Sequence, residues 1–195
     1  MSHGKIFSLI EGDLALLEGK LLQAVRGAGG IVSEIGEHLV SSGGKRVRPA
    51  LCIMAARCGN AFSLEKVLPL ATALELIHMA SLVHDDVIDE AALRRGMPTA
   101  NAKWGSQISI LAGDFIFARA FGIVAKENYD RYIDRRLADL VVSLSVGEIT
   151  QDQEAYKALQ DMDNYYARIK MKTADFLEIS CELGAMVGGL EISAV

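Results

Sequence analysis

The sequence predicts an all-α protein, a helical bundle of long antiparallel helices around one core. Apolar residues recur at three- and four-residue intervals along nearly the whole chain, strand-like alternation is hard to find, and glycine-rich breaks separate long segments. The first helix spans about 5–26 and stops at Gly27-Ala28-Gly29-Gly30; the second, 31–41, stops at Ser41-Ser42-Gly43-Gly44. The third covers 45–58, ahead of Gly59-Asn60. A long apolar helix follows over 64–92, with Pro69 near its start, where a missing N–H costs little. It closes before Gly96-Met97-Pro98, and helices over 101–125, 130–157 and 161–187 complete the pattern. Neither a repeat nor a linker interrupts this order, so residues 1–195 read as one domain.

Composition narrows the function. With 51% hydrophobic and 23% charged residues, the 195-residue chain can bury a substantial core. A net charge of −5 gives no general attraction to nucleic acid, so no nucleic-acid partner is expected and any bound polyanion needs a local basic cluster. Cys52, Cys58 and Cys181 are an odd set without C-x-x-C spacing, which favours a reducing compartment. Glu11 and Asp13 interrupt the apolar stretch at the N-terminus, so no cleavable signal is read and a cytoplasmic location is expected. The best membrane-span candidate, 67–83, contains Glu75 and His78 and reads as a buried helix, not a transmembrane segment.

Charge is concentrated in "LVHDDVIDEAALRRG", residues 82–96. At about 100° per residue, Asp85 and Asp89 lie one turn apart on one face, and His78 falls within about 20° of Asp85. Asp86 is offset but within reach. Carboxylates so close repel one another and carry raised pKa values unless a cation neutralises them. Oxygen-only ligands suit Mg²⁺, which keeps several waters and is completed by substrate phosphates. Alone, D-D-x-x-D is more often a solvated helix end. Here it follows the apolar run "LATALELIHMASLV", which suggests a cavity with a metal at its rim.

Arg94 and Arg95 come where that helix should end, and a guanidinium fork matches phosphate oxygens. Two arginines at a helix C-terminus are, by themselves, more often dipole-favoured surface charge. A second basic group in "GGKRVRP", residues 43–49, changes the balance: Lys45, Arg46 and Arg48 open a helix after a Gly-Gly turn, where backbone N–H groups and side chains could address one anion. Two basic clusters and one acidic group imply two diphosphates. Other residues read more plainly. His84 could orient a carboxylate or simply pack; Tyr165 and Tyr166 are core or interface residues; Asp114, in an apolar helix, needs a partner.

"GGKRVRP", "HMASLVHDDVIDEAALRRGMPT", "AGDFIFARAF", "GEITQ" and "KMKTADF", in this order, resemble the head-to-tail trans-polyprenyl diphosphate synthases, most of all long-chain members of the heptaprenyl type. The resemblance runs from about Gly43 to Thr173. It implies an all-α bundle around a deep apolar cavity and a Mg²⁺-dependent condensation of isopentenyl diphosphate with an allylic diphosphate such as farnesyl diphosphate. By the same resemblance Asp85, Asp86 and Asp89 bind the metal and Arg94 contacts the allylic diphosphate. Lys45, Arg48, His78 and Arg95 match the isopentenyl diphosphate pocket. Lys172 and Thr173 match a pair that steadies the allylic diphosphate, with Gln151 beside the cavity. Lys172 would otherwise read as solvated.

Ser81 and Ala80, four and five residues before Asp85, are small where bulky aromatics in this family stop chain growth, so a product beyond geranylgeranyl is expected. The family's second aspartate-rich motif has no counterpart after Asp89. The chain is therefore expected to be the N-terminal portion of such a domain, lacking its last helices and inactive or nearly so alone. Exposed apolar surface would favour a homodimer or a heterodimer with a small subunit. A non-catalytic diphosphate-binding subunit is the alternative. An ionisation-type terpene cyclase fits less well, because it has no need of the "GGKRVRP" cluster.

Overall fold

The computed structural model describes residues 8–27, 29–154 and 162–191, and it is an all-α bundle. After a short 3₁₀ turn at Ser8–Ile10 come α1 (Glu11–Arg26), α2 (Gly30–Ser41), α3 (Val47–Arg57) and α4 (Leu64–Ile88). A hairpin of two-residue strands, β1 (Leu93–Arg94) and β2 (Met97–Pro98), leads to α5 (Ala100–Trp104) and α6 (Ser106–Val124). Then follow α7 (Arg131–Glu154), α8 (Met162–Ile169), a π-helical turn at Lys170–Ala174 and α9 (Asp175–Val187). The expected helix residues at 5–7, 155–157 and 161 lie outside the described residues.

Four boundaries differ from the sequence expectation, each for a local reason. The helix expected over 45–58 begins at Val47, because Arg46 before it sits in the left-handed region (φ 48°). The helix expected to reach 92 ends at Ile88, with Asp89 as its C-cap. Arg94 and Arg95 therefore belong to the hairpin. Its two-residue turn, Arg95-Gly96, has positive φ at both positions (53° and 79°), as a type I′ connection demands. Gly105 (φ 83°) divides the helix expected over 101–125 into α5 and α6. The π turn divides the last one.

Helix α4 runs through the centre and is buried on nearly every side, which explains why its apolar residues show no single stripe. Leu70, Leu74 and Ile77 of α4 join Leu17 and Leu21 of α1, Ile53 of α3, Ile116 of α6, Leu137 of α7, and Phe176 and Leu183 of α9 in one core. Both α4 and α6 are long and apolar enough to cross a membrane by length and composition; α4 is mostly buried in the bundle, α6 much less. The second of these was not foreseen from the sequence. Leu111 on α6 is 58% exposed, and Asp114, expected to need a partner, is exposed and has His84 Nε2 at 3.5 Å.

Small residues allow α3 and α9 to approach backbone to backbone. A methyl group on Gly184 would lie 2.2 Å from the Cys52 carbonyl oxygen and 2.8 Å from its Cα, with nothing flexible to yield. Gly184→Ala is expected to destabilise the chain by about 3 kcal/mol. A shift in the urea unfolding midpoint at unchanged slope measures it, and an unchanged midpoint would refute this account of the contact.

Candidate active site: two cavities joined at Arg48 and His78

Two cavities meet at His78, near the middle of α4. The first, of about 460 Å³, is lined by Gly44, Lys45, Arg46, Val47, Arg48, Glu75, His78 and Arg95. All four residues that the sequence assigned to one anion pocket, Lys45, Arg48, His78 and Arg95, therefore surround a single space. Lys45 and Arg95 are exposed, whereas Arg48 and His78 are half-buried. Arg48 Nη1 lies 3.2 Å from His78 Nε2. Because a guanidinium can only donate, His78 Nε2 accepts and its proton sits on Nδ1. The Arg48 guanidinium carbon also stands 4.6 Å from the centre of the Phe176 ring, and Arg48 Nε is buried with no hydrogen-bond partner. Burial pulls the Arg48 pKa downward, with Glu75 opposing it.

His78 is held neutral. Burial first, then the positive charges of Arg48, Arg95, Arg94 and Arg46, push its pKa down to about 3. Below pH 6.5 the unfolded chain takes up a proton that the folded imidazole refuses until about pH 3, so this group makes stability fall as pH drops through that window. His78→Gln is expected to flatten that part of the profile, measured as urea midpoints against pH. An identical profile in the variant would contradict it.

The second cavity, about 400 Å³, shares Arg48, His78 and Phe176 with this region and continues past Ser81, Asp85, Ile88, Phe117, Val141, Leu144, Glu148, Lys172 and Thr173. Its lining is apolar towards Ile88, Phe117, Val141, Leu144 and Phe176, with Asp85, Glu148, Lys172 and Thr173 as the polar group. Burial and the facing Glu148 carboxylate push the Asp85 pKa up to about 6, against the pull of Lys172 and Arg94. Lys172 forms an ion pair with Glu148, and its Nζ donates to Gln151 Oε1 at 3.0 Å. Gln151 thus acts on the site through Lys172. Thr173 lines the same cavity.

The three aspartates do not converge. Asp85 lines the apolar cavity, and Asp89, one turn on, is exposed at the helix end. Asp86 turns to the other side of α4, is 3% exposed, and accepts from Arg94 Nε at 2.7 Å. Asp86 and Arg94 are therefore engaged with each other. Among the described residues no three His, Cys, Asp or Glu side chains come close enough to enclose a metal. Arg46, read from sequence as facing the same anion as Lys45, points instead into the protein, onto Glu18 and Glu75. His84 lines the second cavity beside Asp85, with its Nε2 3.1 Å from the Ile110 carbonyl and its ring packed on Phe117.

Glu148 is the site residue that the sequence reading left without a role. The signal was present in "GEITQ": Glu148 and Gln151 are three apart on α7, hence neighbours on one face.

The model of the family described as "Polyprenyl synthetase" matches residues 30–194. The chain belongs to this family. Among curated relatives of the polyprenyl synthetases, the chain is similar to heptaprenyl diphosphate synthase component 2 of Geobacillus stearothermophilus, at 44% identity over 94% of this chain and 57% of that protein. It is also similar to octaprenyl diphosphate synthase of Haemophilus influenzae, at 35% identity over 97% of this chain and 57% of that one. The chain thus spans a little over half the length of these curated relatives. Among solved structures, a polyprenyl synthase from Caulobacter crescentus complexed with calcium and isoprenyl diphosphate superimposes with a TM-score of 0.93, 33% identity, and coverage of 98% of this chain and 58% of that one. Heptaprenyl diphosphate synthase from Staphylococcus aureus gives a TM-score of 0.89 at 35% identity, over 94% and 58%.

Proposed function

We propose that this chain carries the substrate sites of a Mg²⁺-dependent prenyltransferase that joins isopentenyl diphosphate head to tail to an allylic diphosphate and makes a long-chain all-trans polyprenyl diphosphate. One observation carries the reading: a basic cavity and an apolar cavity with a carboxylate-and-lysine rim share Arg48 and His78 as a common wall. Lys45, Arg48 and Arg95 supply the charge for one diphosphate, and neutral His78 keeps Arg48 directed into that space. The hydrocarbon of the allylic substrate suits the apolar cavity, with its diphosphate at the rim near Lys172 and Thr173.

The rim fits a partly hydrated cation. Asp85 and Glu148 line one cavity, with Lys172 paired to Glu148, and burial first, then Glu148, hold the Asp85 pKa up. Asp89, one turn away, can share the ion. Mg²⁺ accepts such an incomplete protein shell because waters and diphosphate oxygens complete it. When bound, it would neutralise the departing pyrophosphate. Lys172 is placed to do the same from the protein side, and Arg94 meets Asp86 through Nε, so its terminal nitrogens are not committed to that carboxylate. In the reaction, the allylic C–O bond breaks and pyrophosphate leaves with the electron pair. The isopentenyl double bond then attacks the allylic carbon, and a proton lost from the adduct restores a double bond.

Ser81 borders the apolar cavity and its hydroxyl donates to the His78 carbonyl at 2.9 Å, leaving space beside it, while Ala80 is buried. This supports a long product. Ser81→Phe is expected to move the product distribution towards C15–C20, read by chromatography of the dephosphorylated alcohols; an unchanged distribution would remove Ser81 from this role. The relatives' designation as component 2 supports assembly with a second polypeptide, a small non-identical subunit or another copy. The sequence holds one aspartate-rich motif where the reaction needs two, so the 195 residues alone are expected to bind diphosphates with little turnover.

The deciding experiment incubates the full-length gene product, with the 195-residue chain alongside, with Mg²⁺, farnesyl diphosphate and labelled isopentenyl diphosphate. Elongation supports the proposal. Diphosphate binding without elongation by the full-length product would favour the non-catalytic subunit.

A further inference from the structure

We propose that Arg46 is a positioning residue, clamped between Glu18 and Glu75 so that the turn it anchors delivers Lys45 and Arg48 to the basic cavity. The inference rests on the reading of that cavity as the isopentenyl diphosphate site. Four cations stand close together here: Lys45, Arg46, Arg48 and Arg95 all border one space. Arg46 differs from the others in being only 8% exposed. Its Nε donates to Glu18 Oε1 at 2.5 Å and its Nη2 to Glu18 Oε2 at 3.1 Å; Nη1 donates to Glu75 Oε1 at 2.9 Å, and Nη2 also reaches the Val40 carbonyl at 3.1 Å. Every nitrogen of the guanidinium is therefore engaged, and the four contacts reach three elements, α1, α2 and α4.

The clamp has a conformational role. Arg46 has a left-handed backbone, unfavourable for a side chain with a Cβ, and persists there only because its surroundings fix it. Lys45 and Arg48 flank it in sequence, so their directions follow from the Arg46 dihedrals. The preceding turn is fitted to the same geometry. A Cβ on Gly44 would meet Arg95 Nη1 at 2.7 Å and Arg46 Nη1 at 3.1 Å, and Arg95 Nη1 donates to the Gly43 carbonyl. One planar fork thus ties α1, α2 and α4 together, while Arg95 holds the Gly43 carbonyl of the adjoining turn. Lysine would keep the charge and lose the fork, so Arg46→Lys separates the two contributions. Glu18 is the partly exposed arm of the clamp and offers a milder variant.

The test measures binding of isopentenyl diphosphate and of inorganic pyrophosphate by calorimetry to the 195-residue chain, with thermal unfolding recorded for each variant. Arg46→Lys is expected to weaken isopentenyl diphosphate binding roughly tenfold or more. Glu18→Gln should do so by a smaller factor, and hydrogen exchange of the 42–48 amides should quicken in both. Farnesyl diphosphate, bound at the other cavity, should lose no more than about threefold in affinity. Should Arg46→Lys not fold, Glu18→Gln alone decides, since it leaves the buried Arg46–Glu75 arm in place. Unchanged isopentenyl diphosphate affinity in the folded variants, or equal loss for both diphosphates in step with lost stability, would overturn the inference. If Arg48→Gln also leaves that affinity unchanged, or the parent chain binds none, the assignment of the cavity falls, and the positioning role falls with it.

Discussion

Under the proposed prenyltransferase function, Asp85→Asn is expected to lower kcat by roughly three orders of magnitude or more, with little change in isopentenyl diphosphate affinity. Asparagine keeps the shape of the side chain and removes only the charge. That charge is held where it is costly, half-buried and opposite Glu148, and such a cost is retained when a cation and a leaving diphosphate use it. Because Asp85 lines the apolar cavity and not the basic one, the loss should fall on the chemical step, not on binding of the second substrate. Steady-state rates with both substrates, together with calorimetry of isopentenyl diphosphate, separate the two. A variant retaining a tenth of the parent kcat would remove Asp85 from the centre of the mechanism.

Arg48→Gln is expected to raise the KM for isopentenyl diphosphate about a hundredfold while the folded chain becomes no less stable. These opposed effects follow from its surroundings. Arg48 Nε is buried without a partner, its charge is disfavoured by burial, and the near neighbours are a neutral imidazole and the Phe176 ring. A diphosphate oxygen would supply what the guanidinium lacks. Glutamine can still donate to His78 Nε2, so folding loses little. Parallel measurements of KM and of the urea midpoint check this. Unfolding of the variant at much lower urea would mean that Arg48 serves the bundle first and the anion second.

Much of this arrangement was legible in the sequence. Spacing along one helix placed His78 and Asp85 on a common face, and both line the 400 Å³ cavity. The two basic segments, 43–49 and 94–95, were read as separate clusters for two diphosphates; Arg95 joins Lys45 and Arg48 around one space, whereas Arg94 turns to Asp86. What escaped depended on residues distant in sequence. Nothing in "GGKRVRP" distinguishes Arg46 from its neighbours; Glu18 and Glu75 make it different, and they lie 28 and 29 positions away. Likewise, Asp86 turns from the metal-type face because Arg94 folds back on it through a hairpin that has no alternating apolar pattern to announce it. Gly105 was visible as a glycine but not as a helix break, since apolar spacing continues on both sides.

The π turn at Lys170–Ala174 sets the register of everything after it. A π turn spends one more residue per turn than an α-helix, and each residue corresponds to about 100° of rotation. Lys172 and Thr173 face the apolar cavity, and within the next three turns Phe176, Ile179 and Leu183 are all packed in the core. Lys172, Phe176, Ile179 and Leu183, spaced i, i+4, i+7 and i+11, keep one face, so what the wider turn offsets, by about 100°, is α8 (Met162–Ile169) ahead of it. The extra residue thus frees α8, which buries none of its residues, from the rotational phase that α9 keeps against the core.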